Sequence, residues 1–323
     1  MAQKKVKVAI HSQEKLAEGI YSMWLHAPKM AEEAKPGQFV AVYTNDSSRL
    51  LPRPISICET DKENGRLRIV YRVAGAGTLE FSGYGAGDTL NIMGPLGNGF
   101  TLKNKKAFLI GGGIGIPPML ELAKHLECEK YAILGYRDSA TFLADEIGKY
   151  AEVIIASEDG SVGTKGNVID AIREKGLKAD VIYACGPTPM LKALKAYAAE
   201  NGMECWISLE EKMACGIGAC LGCVCHTKEV DEHSNVRNKR ICKDGPVFLA
   251  DDVELLSADE QRERIAGGCM CGTVKESAVK DTADRGNTAG VYLDAVKNTA
   301  DRGNTAGVYL DAVKDTADRG KED

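Results

Sequence analysis

The sequence has no long apolar run and no marked excess of charge of either sign, and each absence removes a class of function. No stretch approaches the ~20 apolar residues that a membrane-spanning helix needs. Lys plus Arg number 41 against 46 acidic residues, a net charge of −5 that gives no reason to expect nucleic acid. The first residues, MAQKKVKVAIHSQ, lack the apolar core of a secretory signal. The eleven cysteines are therefore expected as thiols or metal ligands in a reducing cytoplasm rather than as disulfides. With 323 residues the chain has ample material for two or three domains.

What is present is concentrated in residues 213–245, MACGIGACLGCVCHTKEVDEHSNVRNKRICKDG. Cys215, Cys220 and Cys223 follow C-x4-C-x2-C, and Cys242 comes later. Plant-type [2Fe–2S] proteins use this pattern, with three thiolates on a tight loop and a fourth on a distant strand. Two bridged irons need thiolates on opposite sides of a flat rhomb, so the loop must curl around it. Gly216, Gly218 and Gly222 permit the curl and leave backbone N–H groups free to point at sulfur. Structural zinc is the alternative, but such sites usually pair two C-x2-C knuckles, and only one half here has that form. Cys225 competes with Cys242 as fourth ligand. Cys242 is preferred, because a ligand beside Cys223 would have to reach the far iron from the same side.

Residues 1–102 read as short strands, at 5–11, 20–26, 38–43, 54–59, 66–73 and 88–93, separated by turn residues. Six strands at this spacing predict a small antiparallel β-barrel, closed by a short helix over 76–84. From residue 103 to 204 the pattern changes. AFLIGGG is an apolar strand running into glycines, IPPMLELAKHL a helix with Pro near its start, and KYAILGY, AEVIIAS and DVIYACG are further strands. Strand–helix alternation predicts an α/β region with a parallel sheet covered on both faces. Residues 205–256 would form a small cluster subdomain.

Two motifs in the barrel carry chemistry. Arg53-Pro54-Ile55-Ser56 enters a strand, and Tyr71-Arg72-Val73-Ala74-Gly75-Ala76-Gly77-Thr78 leads from a strand into the short helix. Arginine offers a planar fork to a pyrophosphate, and a helix start at Gly77 and Thr78 offers backbone donors to the same anion. A serine at Ser56 could hydrogen-bond a flavin ring nitrogen.

These motifs, followed by Gly94-Pro95-Leu96-Gly97 and by Gly111-Gly112-Gly113-Ile114-Gly115-Ile116-Pro117-Pro118, make the chain resemble the ferredoxin–NADP reductase superfamily. The resemblance implies that Arg53, Pro54, Ile55, Ser56, Val70, Tyr71, Arg72, Gly77 and Thr78 line FAD. It implies too that Gly111, Gly112, Gly113 and Gly115 meet the pyrophosphate of NAD, with Cys185, Gly186 and Pro187 beside the nicotinamide. The loop is not G-x-G-x-x-G, so a plain Rossmann dehydrogenase fits less well. The run EEKMACGIGACLGCVC, ending in RICKDGPVF, further resembles the electron-transfer subunits of NAD-dependent, heteromeric dihydroorotate dehydrogenases, over about residues 1–255. That family implies a role in pyrimidine (UMP) synthesis. An FMN-containing catalytic subunit, two copies with two of this chain, would oxidise dihydroorotate and pass electrons through the cluster and FAD to NAD+. No second nucleotide fold or general base is needed here. The alternative within the same modules is the flavin/[2Fe–2S] subunit of a ferredoxin–NAD(P) oxidoreductase or sulfhydrogenase.

For NAD against NADP, Arg137 offers a partner to a 2′-phosphate, whereas Asp138, Glu158 and Asp159 would repel one. From Asp281 a 17-residue segment, DTADRGNTAGVYLDAVK, recurs almost unchanged and then breaks off. Two copies cannot bury a solenoid core, so residues 257–323 are expected as a largely disordered extension. Cys269 and Cys271 just before the repeats are expected as free thiols.

Overall fold

The computed structural model describes residues 4–230 and 236–256. The repeats, Cys269 and Cys271 lie outside the described residues. The first part is β1 (Val6–Ala17), β2 (Ile20–His26), α1 (Pro28–Glu33), β3 (Phe39–Tyr43), β4 (Arg53–Asp61), β5 (Arg66–Arg72), α2 (Ala76–Ser82) and β6 (Thr89–Leu96). The six strands close into an antiparallel barrel in the order β1-β2-β5-β4-β3-β6. Closure leaves no free sheet edge and encloses an apolar core that includes Met23, Leu25, Ile57, Ile69 and Ile92. The helix α1 has no counterpart in the sequence reading, since six residues are too few to display a helical period.

The second part runs through β7 (Ala107–Gly112), α3 (Pro117–His125), β8 (Lys130–Tyr136), α4 (Ala144–Ile147), β9 (Glu152–Ser157), β10 (Thr164–Lys165), α5 (Val168–Glu174), β11 (Val181–Cys185), α6 (Thr188–Glu200) and β12 (Glu204–Ser208). Then come β13 (Val224–Thr227), β14 (Asn238–Arg240), β15 (Val247–Leu249) and β16 (Val253–Glu254). The main sheet has the order β10-β9-β8-β7-β11-β12-β15. It is parallel from β10 to β12, the parallel sheet expected from the alternation, and β15 adds an antiparallel edge. The last two strands of that sheet come from residues at or beyond 204, so the cluster segment is stitched into it. Alternate residues of β7 face opposite ways. Phe108 and Ile110 meet the helices α5 and α6, while Ala107 and Leu109 meet α3 and α4. Burial on both faces is why these strands read as unbroken apolar runs.

The barrel and the sheet share a core in which Cys58 and Val70 of the barrel pack with Ile116, Met119 and Leu120. A polar network lies in the same interface. Glu121 of α3 is fully buried and accepts hydrogen bonds from the Thr60 hydroxyl at 2.6 Å and the Thr60 N–H at 3.0 Å. Lys124 donates to Glu59 at 2.9 Å and to the Thr60 carbonyl at 3.2 Å. Arg68, 3% exposed, donates to Ser22 at 2.9 Å and Glu59 at 3.3 Å and pairs with Glu146 of α4. Removing one partner of a buried ion pair costs ~3–5 kcal/mol.

The barrel also abuts the cluster segment. Gly97 has φ +73°, and a Cβ there would stand 2.6 Å from the Gly245 carbonyl and 2.5 Å from Pro246. The neighbours are backbone and a ring, neither free to move. Gly97→Ala is therefore expected to destabilise the protein by about 1–3 kcal/mol, read as a lowered Tm in thermal unfolding; an unchanged Tm contradicts this account of the junction.

Candidate functional site

The four thiols predicted as ligands converge at one end of this junction. After β12 the chain crosses Met213, which is buried, and enters a loop in which Gly216 and Gly218 have φ of +69° and +81°. These left-handed turns fold the loop back so that its amides face sulfur. Cys215 Sγ accepts from the N–H groups of Ile217 at 3.5 Å, Ala219 at 3.3 Å and Cys220 at 3.4 Å. Cys242 Sγ accepts from Gly218 at 3.0 Å, and Cys223 Sγ from the N–H of Cys242 at 3.4 Å. The long sequence span between the last two cysteines is taken up by the antiparallel pair β13–β14, which returns the chain so that Ile241 bonds the Cys223 carbonyl at 2.8 Å. Cys223 and Cys242 are buried, whereas Cys220 is exposed.

The electrostatics follow from those donors. Burial alone would raise the Cys215 thiol, but the N–H groups of Ile217, Cys220 and Ala219 outweigh it and bring its pKa down to about 6. Cys242 goes the other way, pushed up to about 12 by burial and by the adjacent Cys223 thiol. Two sulfurs crowded in a buried place need a cationic centre to carry both as thiolates, and the amides are already aimed at them. Among the described residues no three His, Cys, Asp or Glu side chains are gathered closely enough for a single ion. A thiol set ringed by main-chain amides fits an iron–sulfur cluster, whose thiolates take such donors. Cys225 stands apart. It pairs with Lys239 in β13–β14, packs on the main core, and is raised to about 11 by burial.

The loop rests on the barrel. A Cβ at Gly216 would lie 3.3 Å from Leu96, 3.5 Å from Met93 and 3.9 Å from Ala41, and the Tyr43 ring stands near enough to feel the charge of Cys215. The loop thus touches β6 at Leu96 and Met93 and β3 at Ala41, and β3 is hydrogen-bonded to β6 on one side and to β4 on the other. In that register Phe39 faces Ser56, Val40 faces Ile55, Ala41 faces Pro54 and Val42 faces Arg53.

Arg53 opens β4, and its guanidinium lies directly over Gly77, where a Cβ would come within 2.1 Å of Nε. A side chain at Gly77 would have to displace that guanidinium. Arg49, a residue the sequence reading did not single out, adds a second guanidinium bonded to Glu80 at 2.9 Å and to the Ala76 carbonyl at 3.0 Å. Burial and the nearby Arg49 charge lower the pKa of Arg53, with the Glu80 carboxylate opposing them. A pyrophosphate fits the guanidinium pair. The Thr78 hydroxyl accepts from the N–H groups of Ala74 and Gly75 at 2.9 and 3.2 Å, so it folds the turn. Ser56 and Pro54 are half-buried and Arg72 is exposed. Val70 is buried in the core shared with the sheet, and Tyr71 faces the barrel core, stacked on Tyr21 with its hydroxyl donating to Gln13 at 2.9 Å. The Tyr71 ring is thus buried, 2% exposed.

At the nucleotide loop, β7 runs into Gly111 and Gly112, and a short turn over 113–115 leads to α3. A Cβ at Gly115 would stand 2.2 Å from the Cys185 carbonyl, and one at Gly112 would stand 2.7 Å from Met190 sulfur. The glycine loop and Cys185-Gly186-Pro187 therefore meet backbone to backbone, with Met190 as a floor. Cys185 is a neutral thiol, raised to about 12 by burial. At the ends of β8 and β9 the Asp159 N–H donates to the Arg137 carbonyl at 3.3 Å, bringing Arg137, Asp138, Glu158 and Asp159 into one exposed group.

Comparison with known proteins converges on one family. The iron–sulfur cluster binding domain of dihydroorotate dehydrogenase B matches residues 210–254. The electron-transfer subunit of dihydroorotate dehydrogenase B (NAD+) from Geobacillus kaustophilus is 42% identical over 258 residues, 77% of this chain and 98% of that protein. The corresponding subunit from Streptococcus mutans is 42% identical over 253 residues, 76% and 96% of the two chains. A solved NADH-dependent reduced ferredoxin–NADP oxidoreductase is 30% identical with a TM-score of 0.71, covering 86% of this chain and 97% of its own. A ferredoxin NADP+ reductase from Neisseria gonorrhoeae with bound FAD and NADP, 16% identical at a TM-score of 0.52 and covering 62% and 92%, shares the fold. With its barrel, mixed sheet and iron–sulfur binding segment, the chain belongs to the electron-transfer subunits of dihydroorotate dehydrogenase B.

Proposed function

We propose that this chain takes electrons from an FMN-containing catalytic subunit that oxidises dihydroorotate, and delivers them to NAD+ in pyrimidine (UMP) synthesis. The observation that carries the reading is the set of five main-chain N–H groups aimed at the sulfurs of Cys215, Cys223 and Cys242. When bound, a [2Fe–2S] cluster supplies one-electron passage and FAD the conversion of single electrons into a hydride pair. The chain's own residues position them. Cys215, Cys220, Cys223 and Cys242 are assigned as ligands, with their amide donors stabilising the charge on sulfur. Arg53, with Arg49 beside it, holds the FAD pyrophosphate, and Gly77 makes room. Pro54, Ile55, Ser56, Val70, Tyr71, Arg72 and Thr78 line the flavin by strand backbone or by shaping the turn. Gly111, Gly112, Gly113 and Gly115 cradle the dinucleotide beside Cys185, Gly186 and Pro187.

We further assign residues 1–102 to flavin binding, 103–204 to NAD and 205–256 to the cluster, in a cytoplasmic assembly of two chains of each kind. The acidic group Asp138, Glu158 and Asp159 supports NAD over NADP by repelling a 2′-phosphate. The 30% likeness to the ferredoxin–NADP oxidoreductase reflects shared modules; the 42% identity over nearly the whole of the dihydroorotate dehydrogenase relatives favours the first reading.

Two outcomes test this. Cys242→Ser should lose the iron, measured by metal analysis and visible absorbance, while Cys225→Ser should keep it; the reverse pattern overturns the ligand assignment. In a complex reconstituted with an FMN-containing dihydroorotate dehydrogenase subunit, Cys220→Ser should abolish NAD+ reduction by dihydroorotate while the partner's reduction of an artificial dye survives. Continued NAD+ reduction would make the cluster structural.

A further inference from the structure

The polar network between barrel and sheet joins one strand and one helix that each lead to a different cofactor site. Strand β4 opens with Arg53–Ser56, and four residues beyond Ser56, about 13 Å along an extended chain, it presents Thr60. Helix α3 starts at Pro117, two residues after the glycine loop, and one turn on, about 6 Å, it presents Glu121. The two meet through both carboxylate oxygens of a fully buried Glu121. Lys124, one turn further along α3, grips Glu59 and the Thr60 carbonyl.

The strand is shaped for this contact. Between Ile57 and Glu59 the β4–β5 register shifts by one residue, leaving Cys58 without a partner on β5. Such a bulge re-aims the side chains that follow it. Cys58 turns into the apolar core beside Ile116 and Met119, and the next two residues turn their polar groups to α3. A fully buried carboxylate is costly unless its oxygens are satisfied, so a merely cohesive interface would more readily be apolar here. What the pair adds over apolar packing is direction, because two hydrogen bonds to one carboxylate fix rotation as well as separation.

We propose that Glu121 and Thr60, backed by Lys124 and Glu59, are positioning residues that hold the nicotinamide site against the flavin site for hydride transfer. The proposal rests on the assignment of FAD to Arg53–Ser56 and of the dinucleotide to the glycine loop. The transfer itself is balanced within the known reaction: a hydride leaves reduced flavin for the nicotinamide of NAD+, or returns from NADH to FAD in the assay.

The test is rapid mixing of NADH with the full-length, cofactor-loaded chain in complex with its catalytic partner, following the loss of oxidised FAD absorbance. In Glu121→Leu the limiting rate should fall about 10- to 100-fold, the scale of small misplacements of reacting groups. Thr60→Val, which keeps shape and removes one donor, should fall less. Bound FAD and the NADH concentration giving half the limiting rate should stay within about twofold, the split expected when only the reacting geometry is lost. Glu121→Gln should retain the rate, since its amide accepts from the Thr60 N–H and donates to the hydroxyl. Should Glu121→Leu fail to fold, Thr60→Val with Thr60→Ser as its rescue gives the same reading. The proposal is overturned if limiting rates match the unmodified chain, or if they fall only in step with FAD content. If NADH fails to reduce FAD in the unmodified chain, the cofactor assignment has failed instead.

Discussion

Everything in this molecule depends on how closely the cluster loop can sit against the barrel wall. That approach is set at Gly216, where the backbone comes within a side-chain carbon of Leu96, Met93 and Ala41. The strand beneath, β3, is hydrogen-bonded to β4, whose first residues carry the flavin motif. The loop that carries the predicted iron ligands and the strand that carries the flavin motif thus both touch β3. Electron transfer fades steeply with distance, so this packing, more than any reactive side chain, is what the fold contributes to a relay. On the far side β4 meets α3, which leads back to the nucleotide loop. Strand β4 therefore pairs with β3, which the cluster loop touches, and contacts α3, which follows the glycine loop.

The same arrangement explains the charge design. At the sulfurs the cluster loop uses main-chain N–H groups, which need no counterion and cannot be titrated away. The flavin end is the reverse, with Arg49 and Arg53 close enough for one guanidinium to disfavour the other. Two guanidinium groups side by side suit a doubly charged pyrophosphate.

Much of this was legible in the sequence because the information was local. The cysteine spacing, the glycines that allow the curl and the alternation of strands need only neighbours along the chain. The barrel strands were found from turn residues and β-rich segments, and the α/β region from its rhythm. What escaped was long-range. Strand β15 is three residues long and acquires its place only by pairing with β12, so the sheet's antiparallel edge had no signature. Ile69, Val70 and Tyr71 are all buried, so no alternation told which way Tyr71 points, and its ring proved to face the barrel core. Arg49 lies in a loop with no periodic pattern, and Glu121 looked like any polar residue of an amphipathic helix until Thr60 was brought against it.

The central claim is that the Cys215–Cys242 site holds a [2Fe–2S] cluster in a chain that also holds FAD. It is tested most directly by quantifying iron, acid-labile sulfide, zinc and flavin in the purified chain, with electron paramagnetic resonance of the reduced sample. The account predicts about two irons, two sulfides and one FAD per chain, and a signal from a reduced [2Fe–2S] centre. One zinc per chain with no sulfide, or a colourless protein without flavin, would contradict it.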